Sequence, residues 1–203
     1  MSAKTRSRMV RMLVYAGAAS SMMVLLFIVG YILYKGIPHL SPKLFAWEYN
    51  TVNVSLLPAL INTLYMTVLS LFIAVPLGVG AAIYLSEYAR RNNKLVKLVR
   101  LTTETLSGIP SVIYGLFGAL FYVMYLRMNL SLISGALTLS IMILPLIMRT
   151  TEEALIAVPN AFREGSYGLG AGRLRTTFSI VLPSAGPGIL AGVILGIGRI
   201  VGG

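Results

Sequence analysis

The stretch Glu164–Pro183 reads EGSYGLGAGRLRTTFSIVLP. Four glycines and two arginines occupy it before the chain returns to an apolar run through Leu182-Pro183. The chain around it is mostly apolar. Of 203 residues, 57% are hydrophobic and 11% charged, and the mean hydropathy is +0.83. A soluble domain carries roughly 25% charged residues, so the deficit places this chain among membrane proteins. A glycine-rich, basic interruption in such a chain needs a reason.

Composition removes several chemistries. There is no cysteine, hence no disulfide, thiolate nucleophile or sulfur metal site. The single histidine, His39, excludes a multi-histidine metal site. The formal net charge of +11 raises the question of nucleic acid. The charges cluster between apolar runs, however, and do not line an amphipathic face. They read as topology-setting charges, with no nucleic-acid partner.

A membrane span needs about 20 apolar residues. Met12–Tyr34 is the first such run, preceded by Lys4, Arg6, Arg8 and Arg11. Its small residues, Ala16–Ser21, come early and the run continues past them, so it reads as a retained anchor and not a cleaved signal peptide. Residues 35–56 form a mixed external loop with Trp47 placed for an interface. Leu57–Leu85 is the second span, interrupted by Pro76, Gly78 and Gly80. Arg90, Arg91, Lys94, Lys97 and Arg100 follow within eleven residues. Ile109–Leu126 is the third span, entered through Ser107-Gly108-Ile109-Pro110-Ser111. Leu132–Met148 is the fourth, and Ile180–Ile197 begins a fifth. Glu104, among Thr102, Thr103, Thr105 and Ser107, reads as an interfacial carboxylate. Asn53-Val54-Ser55 and Asn129-Leu130-Ser131 match the glycosylation pattern, as chance often produces. Pro76, Pro110 and Pro145 predict kinks.

The fold class is therefore an all-α polytopic membrane protein with five predicted transmembrane helices. Basic residues alternate many, few, many, one, many along the loops. The positive-inside rule puts the N-terminus, residues 87–104 and residues 149–179 in the cytoplasm.

The opening stretch is then cytoplasmic. Thr150 or Thr151 is a candidate cap for a helix with Glu152 and Glu153 in its first turn. Pro159 breaks that helix. Asn160 starts a second, through about Tyr167. Gly168, Gly170 and Gly172 permit a reversal, and a third helix runs from Arg173 into the membrane. The result is an elbow with Phe162, Tyr167 and Leu169 as apolar knobs. Gly165 and Ser166 are small enough for another protein to approach the backbone. Gly168-Leu169-Gly170-Ala171-Gly172 is not a nucleotide loop: its last glycine falls one position early for G-x-G-x-x-G, and no Gly-Lys-Ser/Thr follows. An ordinary basic loop accounts for the charges equally well.

The spacing separates these readings. Glu164, two small residues, Gly170, Ile180 and Leu182-Pro183 resemble the EAA signature of ABC importer permeases, within the binding-protein-dependent (MetI-like) family. That resemblance implies that the elbow is a coupling helix docking on a cytoplasmic ATPase through Glu164, Gly165, Ser166, Gly170, Ile180, Leu182 and Pro183. Gly165 and Ser166 stand where the family has alanines. Gly165 costs the helix about 1 kcal/mol relative to Ala.

Further stretches narrow the resemblance. Ile109–Gly118 (IPSVIYGLFG), Ala82–Tyr88 (AIYLSEY), Arg149–Leu155 (RTTEEAL) and Gly188–Leu195 (GILAGVIL) are similar to phosphate importer permeases, and to their A-type subunit more than the C-type. The resemblance covers about residues 57–203, taken as the permease domain, with 1–56 as the tail, anchor and external loop. It implies a C-type permease partner, two ATPase copies, an extracytoplasmic phosphate-binding protein, surrounding lipid and a bacterial or archaeal cytoplasmic membrane. The chain itself is expected to hydrolyse nothing and to bind no cofactor or metal; ATP belongs to the ATPase.

Arg199 lies about 24 Å along a helix starting near Pro183. A guanidinium in an apolar run faces a pathway or snorkels to an interface. The resemblance favours the pathway, since the family has an arginine here, and a guanidinium can hold an oxyanion bidentately. The family continues with an acidic neighbour and a sixth span, whereas this sequence reaches Gly203. The expectation is an incomplete chain that cannot form a working pathway even with its partners. Two other functions remain open. One is an importer permease for another oxyanion or small solute. The other is an ion-coupled secondary transporter, for which no convincing intramembrane carboxylate is found.

Overall fold

The computed structural model describes residues 3–40, 42–47, 55–90 and 93–202, with the side chains of residues 3–7, 42 and 43 outside the description. Lys4 and Arg6 therefore enter only as backbone, while Asn53, Arg91 and Gly203 lie outside the described residues. All regular structure among the described residues is helical. The chain divides into two compact units, Met1–Ala59 and Leu60–Gly203.

In the first unit, α1 (Ala3–Gly36) is one 34-residue helix, apolar on all sides through its middle. None of its described side chains is buried, as expected of a helix made for lipid or for other chains. Two short 3-10 turns, Ile37–His39 and Pro42–Phe45, follow it, and Trp47 is exposed.

The second unit is built on α5 (Leu132–Ala157). Ser131 caps it in a reciprocal pair with Ser134. Ten of its residues are buried, because neighbours cover it on several sides. One neighbour is α2 (Leu57–Ile83), which continues as a π-helical turn, Tyr84–Tyr88. Its buried stripe is Ser70, Ala74, Gly78 and Ala82, one residue per turn. Ser70 Oγ donates to the Ala136 carbonyl at 3.1 Å, and Ser140 Oγ to the Ser70 carbonyl at 3.2 Å. Such interhelical bonds hold helices together where lipid removes the hydrophobic drive.

The other neighbour is α8 (Leu182–Gly202), packed along α5. Gly188 faces Ala154 and Gly192 faces Thr150 so closely that a Cβ at Gly192 would lie 2.1 Å from the Thr150 hydroxyl. The small-xxx-small spacing is what lets the two backbones meet. Two apolar clusters result. One gathers Ala82, Val96, Met148, Leu155, Val181 and Ala185; the other gathers Ala74, Tyr114, Met142, Ile143, Ile147 and Ile200.

Among the described residues, four helices are long and apolar enough to cross a membrane: Arg8–His39, Leu57–Tyr88, Leu132–Ala157 and Arg173–Gly202. The expected third span, Ile109–Leu126, takes another form. Helix α3 (Lys94–Ser107) and the pair α4 (Ser111–Gly118) plus its π-helical continuation Ala119–Tyr125 meet at 100°. Counting that bent pair as one broken span gives five. Pro110 supplies the reason: it lacks an N–H and pushes Ile109 out of the helical region, just after Gly108.

A second expectation is corrected. Thr150 and Thr151 cap nothing, because α5 runs through them to Ala157. Thr150 Oγ1 donates back to the Leu146 carbonyl at 2.9 Å, and Thr151 is fully buried. Residues 149–157 extend the fourth span and are not loop. Their charges pair with neighbours: Arg149 with Glu153 at 3.0 Å and Glu104 at 3.7 Å, and Glu152 with Arg100 at 2.6 Å.

Candidate functional site

The elbow begins where α5 ends. Val158 is extended and Pro159 stops the helix. Helix α6 (Asn160–Gly168) follows, then a reversal, then α7 (Arg173–Thr176), which rises through a π-helical turn, Thr177–Val181, into α8. Pro159 occupies the cap position of α6 and makes no side-chain cap bond, so Asn160 is the first helical residue and not the cap. Its Oδ1 instead accepts from Arg163 at 3.4 Å.

The reversal is closed by backbone bonds. Gly170 N–H donates to the Tyr167 carbonyl at 2.9 Å, and Ala171 N–H to the Ser166 carbonyl at 3.1 Å. This is the Schellman pattern, and it requires the residue after the C-cap to be left-handed. Gly170 has φ +80°. Only glycine takes this conformation without a steric penalty.

At 100° per residue the faces of α6 separate. Glu164 and Gly165 point outward, and a Cβ at Gly165 would meet nothing within 4 Å. Leu169 stands at the tip, 91% exposed; Phe162 and Tyr167 emerge on the flanks. Ser166 turns inward. It is buried and shares a 2.8 Å hydrogen bond with Thr176 Oγ1 on α7. Its small side chain serves the closure of the elbow, and its hydroxyl is not offered to an approaching surface.

Ile180, Leu182 and Pro183 stand apart from α6, on the helix leaving the elbow. Pro183 has no N–H for the carbonyl four residues back, and the wide turn Thr177–Val181 precedes it. Leu182 packs on the cluster around Val181 and Ala185, Ile180 is half-buried and Pro183 is exposed. These three residues set how the elbow joins the span. The outward surface belongs to Glu164, Gly165 and Leu169.

The charges inside the elbow are the part that sequence reasoning did not find. Arg163 Nη2 donates to Glu87 Oε1 at 2.7 Å and to the Leu155 carbonyl at 2.9 Å, while Nη1 donates to the Val158 carbonyl at 2.7 Å. Glu87 is only 7% exposed. Nearby, the Arg173 guanidinium lies 5.4 Å from the centre of the Tyr88 ring. A polar cavity of about 390 Å³ opens among Ser86, Glu87, Asn160, Arg163, Tyr167 and Arg173. The only sequence signal for the ion pair was a lone acid at the end of an apolar run.

Arg199 sits elsewhere, half-buried on α8. Its Nη1 donates to the Ser107 carbonyl at 3.1 Å and its Nη2 to the Ile109 carbonyl at 3.0 Å. Tyr114 Oη donates to the Leu106 carbonyl at 2.8 Å. At the α3–α4 break the Ser107 and Ile109 carbonyls are thus held by the Arg199 side chain, and the Leu106 carbonyl by Tyr114 together with the Ile109 N–H at 3.1 Å.

Comparison with known proteins agrees with this architecture. Residues 74–203 match the profile of the family described as binding-protein-dependent transport system inner membrane component. The phosphate transport system permease protein PstA of Haemophilus influenzae is 33% identical over 201 residues, covering 98% of this chain and 71% of that protein. PstA of Pasteurella multocida is 39% identical over 170 residues, covering 83% and 60%. The probable ABC transporter permease protein YqgI of Bacillus subtilis is 35% identical, covering 88% and 61%. The chain spans about half to three-fifths of the length of the first curated relatives it matches. An inward-facing structure of the MetNI methionine ABC transporter superposes with a TM-score of 0.58 at 23% identity, covering 72% of this chain and 68% of that one, a likeness of fold. With one family profile matching well over half of its length, a relative covered over more than two-thirds, and the helices and elbow described above, this chain belongs to the family of binding-protein-dependent transport system inner membrane components.

Proposed function

We propose that the chain is the transmembrane permease subunit of an ATP-driven importer that carries inorganic phosphate into the cytoplasm. The observation that carries the coupling part is the elbow. Its inward side is fixed by Arg163 and Ser166, while Glu164, Gly165 and Leu169 are presented outward. That is the form of a docking element: braced behind, apolar at the tip, and open over Gly165. Phosphate rests on the function named for the PstA relatives, extended here to this chain.

In this reading the chain hydrolyses nothing and binds no cofactor. Two copies of a separate ATPase use the ATP and dock on the elbow. A homologous C-type permease subunit completes the pathway, and an extracytoplasmic phosphate-binding protein delivers the anion. In this reading the N-terminus, residues 87–104 and the elbow lie on the cytoplasmic side, as the positive-inside rule supports. Arg199 faces the pathway: two of its five N–H donors hold backbone carbonyls, and the rest are available to an oxyanion.

A second reading keeps the coupling and changes the solute. It is favoured by YqgI and YqgH of Bacillus subtilis, 35% and 38% identical, whose names carry no substrate. Uptake of labelled phosphate in cells with and without this gene, with sulfate and molybdate as competitors, separates the two. Uptake that disappears on deletion and resists sulfate supports phosphate. Unchanged uptake in a strain with no second phosphate system discards it. Glu164→Lys or Gly170→Asp should leave the protein inserted and abolish ATP-coupled uptake; normal uptake in both would sink the docking assignment.

A further inference from the structure

We infer that Arg163 and Glu87 form a rigid strut that carries displacement of the elbow into α2 and α5; the inference rests on the coupling reading above. Three observations meet at one guanidinium. It pairs at 2.7 Å with Glu87, the buried acid on the π-helical end of α2, across 76 residues of sequence. It donates to the Leu155 and Val158 carbonyls at 2.9 and 2.7 Å, closing the C-terminal end of α5. And it sits on α6, next to the outward Glu164. Three helices therefore share one charged group.

The chemistry suits a strut better than a surface decoration. A cation at a helix C-terminus is favoured by the open carbonyls and the axial dipole. Charge-assisted hydrogen bonds are the short, strong ones, and the planar guanidinium fixes their directions. Glu87 is buried and paired with Arg163, while the other cation lining the same polar cavity, Arg173, lies over the Tyr88 ring. An elbow pushed from outside cannot slide past α2 and α5 without breaking all of these bonds together. The other elbow ties, Ser166 to Thr176 and Arg173 over Tyr88, hold α6 to α7 and α7 to the end of α2. Of these ties, only Arg163 reaches α2 and α5 at once. The strut makes Arg163 and Glu87 positioning residues for transport, neither touching the solute.

The test uses the whole assembly in proteoliposomes: the full-length permease that contains this sequence, its partner permease, the ATPase and the binding protein. Glu87→Gln keeps the size of the side chain and removes its charge. ATPase co-purification should persist, while phosphate taken up per ATP hydrolysed falls at least tenfold. Glu87→Asp should recover part of that ratio, which a general loss of fold would not. Glu87→Gln with an unchanged ratio overturns the strut alone. An unsubstituted assembly without co-purifying ATPase overturns the coupling reading and the strut with it.

A distance measurement covers the case in which Glu87→Gln assembles poorly. The chain has no cysteine, so spin labels at Tyr84→Cys and Ala161→Cys, both exposed, report on the end of α2 and on α6 without background. Their separation should be narrow and unchanged by nucleotide in the parent, and broadened by Glu87→Gln. A separation that already shifts with nucleotide in the parent overturns the proposal.

Discussion

The chain interrupts its helices twice with glycine and proline, at Ser107–Pro110 and at Leu169–Gly172, and the two places are finished differently. At the first, the carbonyls of Ser107 and Ile109 are taken by the Arg199 side chain, and that of Leu106 is shared between the Tyr114 hydroxyl and the Ile109 N–H. At the second, the carbonyls of Ser166 and Tyr167 are taken by the backbone itself, through a left-handed glycine. The first lies beside the apolar cluster of Tyr114, Ile143 and Ile200, with Ile109 packed on it. There the donors to the Ser107 and Ile109 carbonyls come from another helix, through Arg199 on α8. The second opens outward, needs only local closure, and leaves its tip bare for a partner. One interruption shapes the interior, and the other shapes a surface.

Substitutions can break that contrast. The largest effect should come from behind the elbow: Arg163→Ala leaves Glu87 buried and unpaired, costing about 3–5 kcal/mol. A thermal midpoint in detergent equal to the parent's would contradict this. At the interior break, Arg199→Ala opens two carbonyls and should cost about 2 kcal/mol, somewhat less than full burial implies because the site is half-exposed. Arg199→Lys should fall between, since an ammonium cannot span both carbonyls in the plane of a guanidinium; equal stability of the two variants would speak against the clamp. Gly170→Ala should cost about 1–2 kcal/mol from the left-handed backbone alone, because nothing surrounds the added methyl. Tyr114→Phe should cost about 1 kcal/mol, one hydrogen bond, read from the same unfolding curves. The smallest change has the opposite sign: Gly165→Ala, helical and in open space, should stabilise by roughly 0.5–1 kcal/mol. A matching gain at Gly170 would show that the reversal does not need a positive φ.

Much of this architecture was legible because it rests on periods and composition. Apolar run length located α1, α2 and α5. The elbow was readable from Pro159, the glycines and Arg173, since each acts through its own backbone. Where the reading failed, a distant contact overrode a local signal. Thr150 and Thr151 looked like caps, yet α5 continues through them because α8 covers that face, with Gly192 against Thr150. Ser166 looked like an opening for a partner and is turned inward by Thr176. The bend at Pro110, by contrast, is local: Ile109–Leu126 is half of a bent pair that, counted as one broken span, keeps the expected five.

By itself, then, the sequence determined that this is a helical membrane protein, where its long helices run, and that an elbow carrying Glu164 and Gly170 interrupts them. Those outcomes follow from hydrophobic length, from φ restricted by proline and from φ freed by glycine, all local properties. Only the tertiary structure decided what the charges do. Arg163 belongs to Glu87 and the end of α5, and Arg199 belongs to the carbonyls of the α3–α4 break, 90 and more residues away. A charge has no period and no preferred partner along the chain. In an apolar interior it goes to whichever opposite charge or open carbonyl the packing brings within about 3 Å.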